Sequence, residues 1–197
     1  MIRRTALSAP EPTHPLAAVA MPGLRGAAGV APLRVSLPAR AMAQVMVRRG
    51  REDAFAATMQ ARFGMAPPAP GHATSGGAVT AIWIQPGGYM LTGAAAGVVA
   101  EAFAGLAAVE DQSHGRTTIA VSGPAARAVL ARGCRLDLHP RAFGPGRAAM
   151  TQIAHIGCLL HQIDEAPSFE LTVFATLAEP FFHWLIEAGA GDGVVIA

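Results

Sequence analysis

The amino-acid sequence predicts an α+β protein with two small mixed or antiparallel sheets and helices packed on them. Three observations carry this. A strand, a helix, a run of strands and a further helix follow in that order twice between residues 43 and 190. Apolar residues alternate with period two in the strand segments and recur at helical spacing in the others. Of 197 residues 52% are hydrophobic, but alanine supplies much of that and 22 glycines accompany it, a composition suited to close backbone packing. A chain of this length buries roughly 70% of its extended surface and can form one large domain without cross-links.

Residues 1–40 read as an extended arm. They hold six prolines and five arginines against a single acid, Glu11, so neither a long helix nor a central strand is expected. Leu16, Val19, Met21, Leu24, Val30, Leu33, Val35 and Leu37 are too many apolar groups for a solvated tail. The arm is therefore expected to lie along its own body or a partner. The body spans 41–197, subdivided weakly into 41–112 and 113–197.

Within the body, AQVMVRR opens as a strand with Val45 and Val47 on one face. Ala54, Phe55, Met59 and Phe63 recur at helical spacing over 51–64, and Gly64 stops the helix. A Pro/Gly loop over 66–77 leads to the strand AVTAIWIQ and to PGGYML, a turn and short strand. A second helix is expected over 92–110, with Thr92 as its cap and Gly97 and Gly105 close to the sheet. GRTTIAVSG is the next strand, and its Ser122 is placed to cap a third helix over 124–133 that Gly133 ends. Two strand segments follow, AMTQIAHIGCLLHQI and SFELTVF, with a reversal near 164–167. The last helix spans 176–190 with Phe181, Trp184 and Leu185 as its apolar stripe, ahead of a short Gly/Val tail.

No chemistry-bearing pattern is complete. Cys134, Asp137 and His139 stand within six residues, and His155, Cys158 and His161 come later. On one uninterrupted strand, period two would send His155 and His161 to one face and Cys158 to the other, which is wrong for converging zinc ligands. Cys134 follows a helix end, where the dipole offers a thiolate nothing. Asp137 is placed to tie the loop through backbone amides, ahead of His139-Pro140 and Gly144-Pro145-Gly146. Ser122 lacks the two glycines of a nucleophile turn, since Ala120 and Pro124 stand in their places. Asp111 and His114 either orient one another or cap a turn. Trp83, Tyr89 and Trp184 sit in apolar patterns that suit a core. Neither a dinucleotide fingerprint nor a phosphate loop occurs, and the chain has no lysine for one. Expected catalytic, cofactor-binding and metal sites are therefore none.

The net charge of +2, all of it from arginine, gives no concentrated basic face, so no nucleic-acid partner is expected. Two cysteines do not make a secreted disulfide framework. Pro10, Pro12 and Pro15 interrupt an amino-terminal export signal, and every long apolar run contains breakers. The expectation is a soluble, cytoplasmic protein without membrane contact.

The segment VEDQSHGRTTIAVSGPAARAVLARGCRLDLHPRAFGPGRAAMTQIAHIGCLLHQ resembles the gamma subunit family of heterotetrameric sarcosine oxidase. APSFELTVFATLAEPFFHWLIEAG resembles that family's carboxy-terminal signature, WIQPGGYMLTG its hairpin more loosely, and HPLA a short early motif. The long loop after Gly64 and the Phe181-Phe182-His183 spacing depart from the pattern. The resemblance implies a fold like the folate-binding region of aminomethyltransferases. It also implies a non-catalytic structural subunit beside alpha, beta and delta partners. The complex would oxidatively demethylate sarcosine to glycine, releasing hydrogen peroxide and formaldehyde or methylenetetrahydrofolate. FAD, FMN, NAD, tetrahydrofolate and zinc would be held by the other subunits and none by this chain. A free folate-dependent aminomethyltransferase-like enzyme with Asp111 near its ligand, or a binding module of another oxidase, are the alternatives.

Overall fold

A computed structural model of the chain describes residues 14–29 and 31–197. The short strands β1 (Gly23–Arg25) and β2 (Leu33–Ser36) come first. They are followed by β3 (Met42–Val47), α1 (Glu52–Phe63), β4 (Ala73–Gly76), β5 (Val79–Gln85), β6 (Gly88–Thr92), α2 (Ala96–Ala102) and β7 (Ala107–Asp111). The remainder is β8 (Arg116–Ser122), α3 (Ala126–Ala131), β9 (Ala148–Ile153), β10 (Ile156–Asp164), β11 (Ser168–Phe174), α4 (Ala178–Gly189) and β12 (Val194–Ile196).

The strands form two sheets, as the alternation required. The larger has the order β1-β12-β2-β8-β11-β10-β9, and the smaller β4-β5-β6-β3-β7. All described pairings are antiparallel except β12 with β2. Period two then builds four layers. Ile119, Val121, Leu160, Phe169, Leu171 and Val173 turn from the larger sheet toward α3 and α4, where Val129, Phe181 and Leu185 are fully buried. Ala43, Val45, Ala81 and Leu91 turn from the smaller sheet toward Phe55 and Met59 of α1 and Val99 of α2. The inner faces meet through a small apolar contact of Met42, Ile82, Met90, Ala148 and Leu159.

The expected arm is different in its described part. Leu33 and Val35 are fully buried, and β2 is a central strand bonded to β8 on one side and β12 on the other. Pro32 and Pro38 flank this strand rather than interrupt it, so prolines delimit it without costing a ladder bond. Val30 and residues 1–13, including Glu11, lie outside the described residues. The smaller sheet takes its strands from 42–111, while the larger takes residues from both sides of that segment.

Five further expectations shift. The second helix is only Ala96–Ala102, because Gly105 adopts φ 73° and the chain continues as β7. Its cap position is Ala95, without a side-chain bond, and Thr92 is a buried residue of β6. Ser122 likewise closes β8, since the backbone N–H of Ala126 donates to the carbonyl of Gly123 and α3 has no side-chain cap. The loop over 66–77 contains the edge strand β4, and the Gly/Val tail supplies β12. Gly64 does end α1, in the left-handed region with its N–H bonded to the Gln60 carbonyl.

Candidate functional site

The Cys134–His139 cluster is structural in geometry. After α3 the chain forms a loop whose Leu138 and Phe143 enter the helix-side core. Arg127 of α3 holds it there, its Nη1 donating to the carbonyls of Leu138 (2.5 Å) and Phe143 (2.9 Å). Asp137 Oδ1 accepts the His139 N–H at 2.8 Å, and His139 Nδ1 accepts the Arg141 N–H at 3.2 Å. The Asp137 and His139 side chains are thus spent on turning backbone. Cys134 packs half-buried against the core and bridges to Ile153 at the start of the β9–β10 turn.

The later cluster disperses. Cys158 is fully buried in the helix-side core, and burial raises its thiol pKa. His161 points to the opposite face, between the sheets. His155 is on neither, because the expected continuous strand breaks at Ala154–His155 into a two-residue turn. Both residues have positive φ, 50° and 64°, the left-handed pair of a type I′ hairpin. Such positions favour Asn-Gly, and non-glycine residues there cost of order 1–3 kcal/mol each. Among the described residues no three His, Cys, Asp or Glu side chains converge on a common point.

Sequence reasoning passed over the polar assembly between the sheets. Register aligns Ser36, Ala120, Glu170, His161 and Ala148 in one row across β2, β8, β11, β10 and β9. Arg40, in the link between β2 and β3, pairs with Glu170, which is buried. His161 is 6% exposed, and its Nδ1 has no hydrogen-bond partner. Burial and the nearby Arg40 guanidinium push its pKa down to about 4, so the ring is neutral near pH 7. These groups line a cavity of about 250 Å³ with Ser75 and Thr80 of the smaller sheet. The row gave a signal in sequence only through the alternation of Phe169, Leu171 and Val173 with Glu170 and Thr172 in β11.

A second cavity, about 470 Å³, lies where His14, Arg40, Met42, Ser113, His114 and Arg116 meet. His14 Nε2 and the Thr117 hydroxyl are 2.8 Å apart, and burial lowers the His14 pKa. Arg116 stacks on Phe174 with its guanidinium carbon 4.2 Å from the ring centre. Asp111 does not join a reactive pair here. Its Oδ1 accepts the Ser113 N–H at 2.9 Å, and that bonding to Ser113 holds its pKa below the usual carboxylate value. The expected aromatic core residues behave more nearly as foreseen: Tyr89 stacks on Phe55 with centroids 5.5 Å apart, and Trp184 packs against the helix-side core. Trp83 is partly exposed beside Phe143 and Met150.

Two sheets layered between helices define the class. The chain shares its fold with glycine cleavage system aminomethyltransferase T from Bartonella henselae, at a TM-score of 0.57 and 13% identity over 78% of this chain and 45% of that one. The model of the sarcosine oxidase gamma subunit family matches residues 48–191. The chain belongs to that family. It is 36% identical over 153 residues to sarcosine oxidase subunit gamma from an Arthrobacter species, covering 74% of each chain. With the Corynebacterium sp. U-96 subunit gamma it is 42% identical over 80 residues, 41% of this chain and 38% of that one. A chain of the heterotetrameric sarcosine oxidase from Corynebacterium sp. U-96, solved with pyrrole 2-carboxylate, superposes at a TM-score of 0.73 with 27% identity. That match covers 85% of this chain and 88% of the other.

Proposed function

We propose that this chain is a structural gamma subunit of a heterotetrameric sarcosine oxidase and performs no chemistry itself. The observation that carries this is the likeness, across 85% of its length, to a chain of the Corynebacterium complex. The geometry supports the reading, because Asp137, His139 and Asp111 are each engaged in backbone turns. In this reading alpha, beta and delta subunits bind FAD, FMN, NAD, tetrahydrofolate and zinc, oxidise sarcosine to glycine, and are held in register by gamma. A cytoplasmic location goes with it. Among the described residues no helix is long and apolar enough to cross a membrane.

Folate does not fit the residue proposed for it in the enzyme alternative. Asp111 is exposed at the end of β7 and its Oδ1 is committed to the next turn, so no step is assigned to that group. Co-expression with the alpha, beta and delta subunits tests the proposal. A stoichiometric four-subunit complex is expected, with sarcosine oxidation lost on omission of gamma through failed assembly. Saturable tetrahydrofolate binding by this chain alone, without assembly, would favour the transferase instead.

A further inference from the structure

A third cleft lies apart from the polar assemblies above. It opens between the end of α3, the β9–β10 turn and the start of α4, with a volume of about 550 Å³. Arg132, Arg135 and His155 stand around it with Gln152, and Trp184 and Pro180 form its apolar wall. No carboxylate lines it among the described residues. Arg132 is engaged, 2.9 Å from Asp192 and donating to the Ala188 carbonyl. Arg135 has no described ion-pair partner and is exposed, as is His155.

The cleft is built at a cost. The turn that presents His155 uses Ala154 and His155 where Asn-Gly would be least strained, and Gly133 has no side chain where Trp184 sits. A half-buried Trp beside exposed Arg side chains around a shared depression is the composition of interface hot spots. The positive lining fixes the sign of what fits there.

We infer that this cleft is a docking point for a carboxylate-bearing loop of a partner subunit, the acid placed between Arg135 and His155 and the neighbouring apolar atoms against Trp184. The inference rests on the subunit reading and names the surface that reading lacks. A merely structural turn predicts unchanged assembly on substitution, where docking predicts its loss. His155→Gly relieves the left-handed residue while removing the imidazole, so the isolated full-length chain should melt no lower than the wild type. Its affinity for the partner subunits should nonetheless fall about tenfold. Arg135→Glu should leave the melting temperature unchanged and weaken assembly by at least tenfold, with the loss shrinking as salt screens the repulsion.

Titrating tagged wild-type and variant chains against the purified partner subunits reads all of this. Wild-type assembly beside variants that assemble equally well would overturn the cleft and leave the subunit reading standing. Failure of the wild type to assemble would overturn both. Binding of a small anion such as phosphate that Arg135→Glu abolishes, with assembly unchanged, would also overturn the docking role.

Discussion

The benzo ring of Trp184 rests against Gly133, so that a Cβ on residue 133 would stand 2.4 Å from the ring Cζ2. The glycine that ends the third helical segment therefore also seats the aromatic residue of another helix. Gly133→Ala is expected to cost on the order of 1–3 kcal/mol through overpacking. Thermal melts of Gly133→Ala, Trp184→Leu and the double variant check it. The double variant should be less destabilised than the sum of the two single ones.

Arg127 ties the loop over 135–146 to α3 through two carbonyls. Arg127→Ala leaves both without that donor and is expected to cost about 1–3 kcal/mol. Hydrogen exchange should quicken across 135–146 before it changes in β8 or β11. Unchanged protection of the loop would show that Leu138 and Phe143 hold it without the guanidinium.

The acid limb of stability should carry the signature of His161. Its pKa is about 4 in the folded chain and about 6.5 when unfolded, so between those values the unfolded state binds the extra proton. Stability from this group is complete above pH 6.5 and is lost as pH falls toward 4, by about 3 kcal/mol in all. His161→Gln, which does not titrate, should flatten urea midpoints between pH 6.5 and 4. An equal slope in that variant would assign the acid sensitivity elsewhere.

Removing residues 1–40 should abolish the fold rather than trim an arm, because β8 would lose its β2 partner and β12 its neighbours on both sides. Leu33→Ala, a milder lesion at a fully buried site, should cost about 2–5 kcal/mol. Soluble expression and cooperative urea unfolding of the 41–197 fragment would contradict this.

The two cysteines should react unequally. Cys134 is half-buried at the cleft, whereas Cys158 is fully buried with its thiol pKa raised. A thiol reagent at pH 8 should modify one site quickly in the native chain and both in denaturant. Mass mapping should place the fast one at Cys134.

The sequence and the structure agree where a pattern is long and local. The alternation of β8 and β11 and the helical spacing in α4 identify both layers of the larger-sheet half, and the spacing in α1 identifies the helical layer of the other. They part where partners are distant. Leu33 and Val35 look like arm residues because their strand is four residues long, and what buries it comes from β8 and β12. The continuation of helix 2 into β7 misleads for a related reason: Ala-rich sequence serves either state, and Gly105 decides it through a left-handed bend. The cleft at Trp184 was not legible, since residues 133, 155 and 184 meet only after three elements pack. Likewise Arg40, His161 and Glu170 share a cavity because of sheet register, which no single segment encodes.

The placement of β12 also sets an order on biogenesis. The five-stranded sheet draws every strand from 42–111 and can close while later residues are still being synthesised. The seven-stranded sheet cannot, because residues 194–196 slot between β1 and β2. Until they leave the ribosome, β1 and β2 have no complete binding site on their own chain, and Leu24, Leu33 and Val35 are exposed to chaperones or to misassembly.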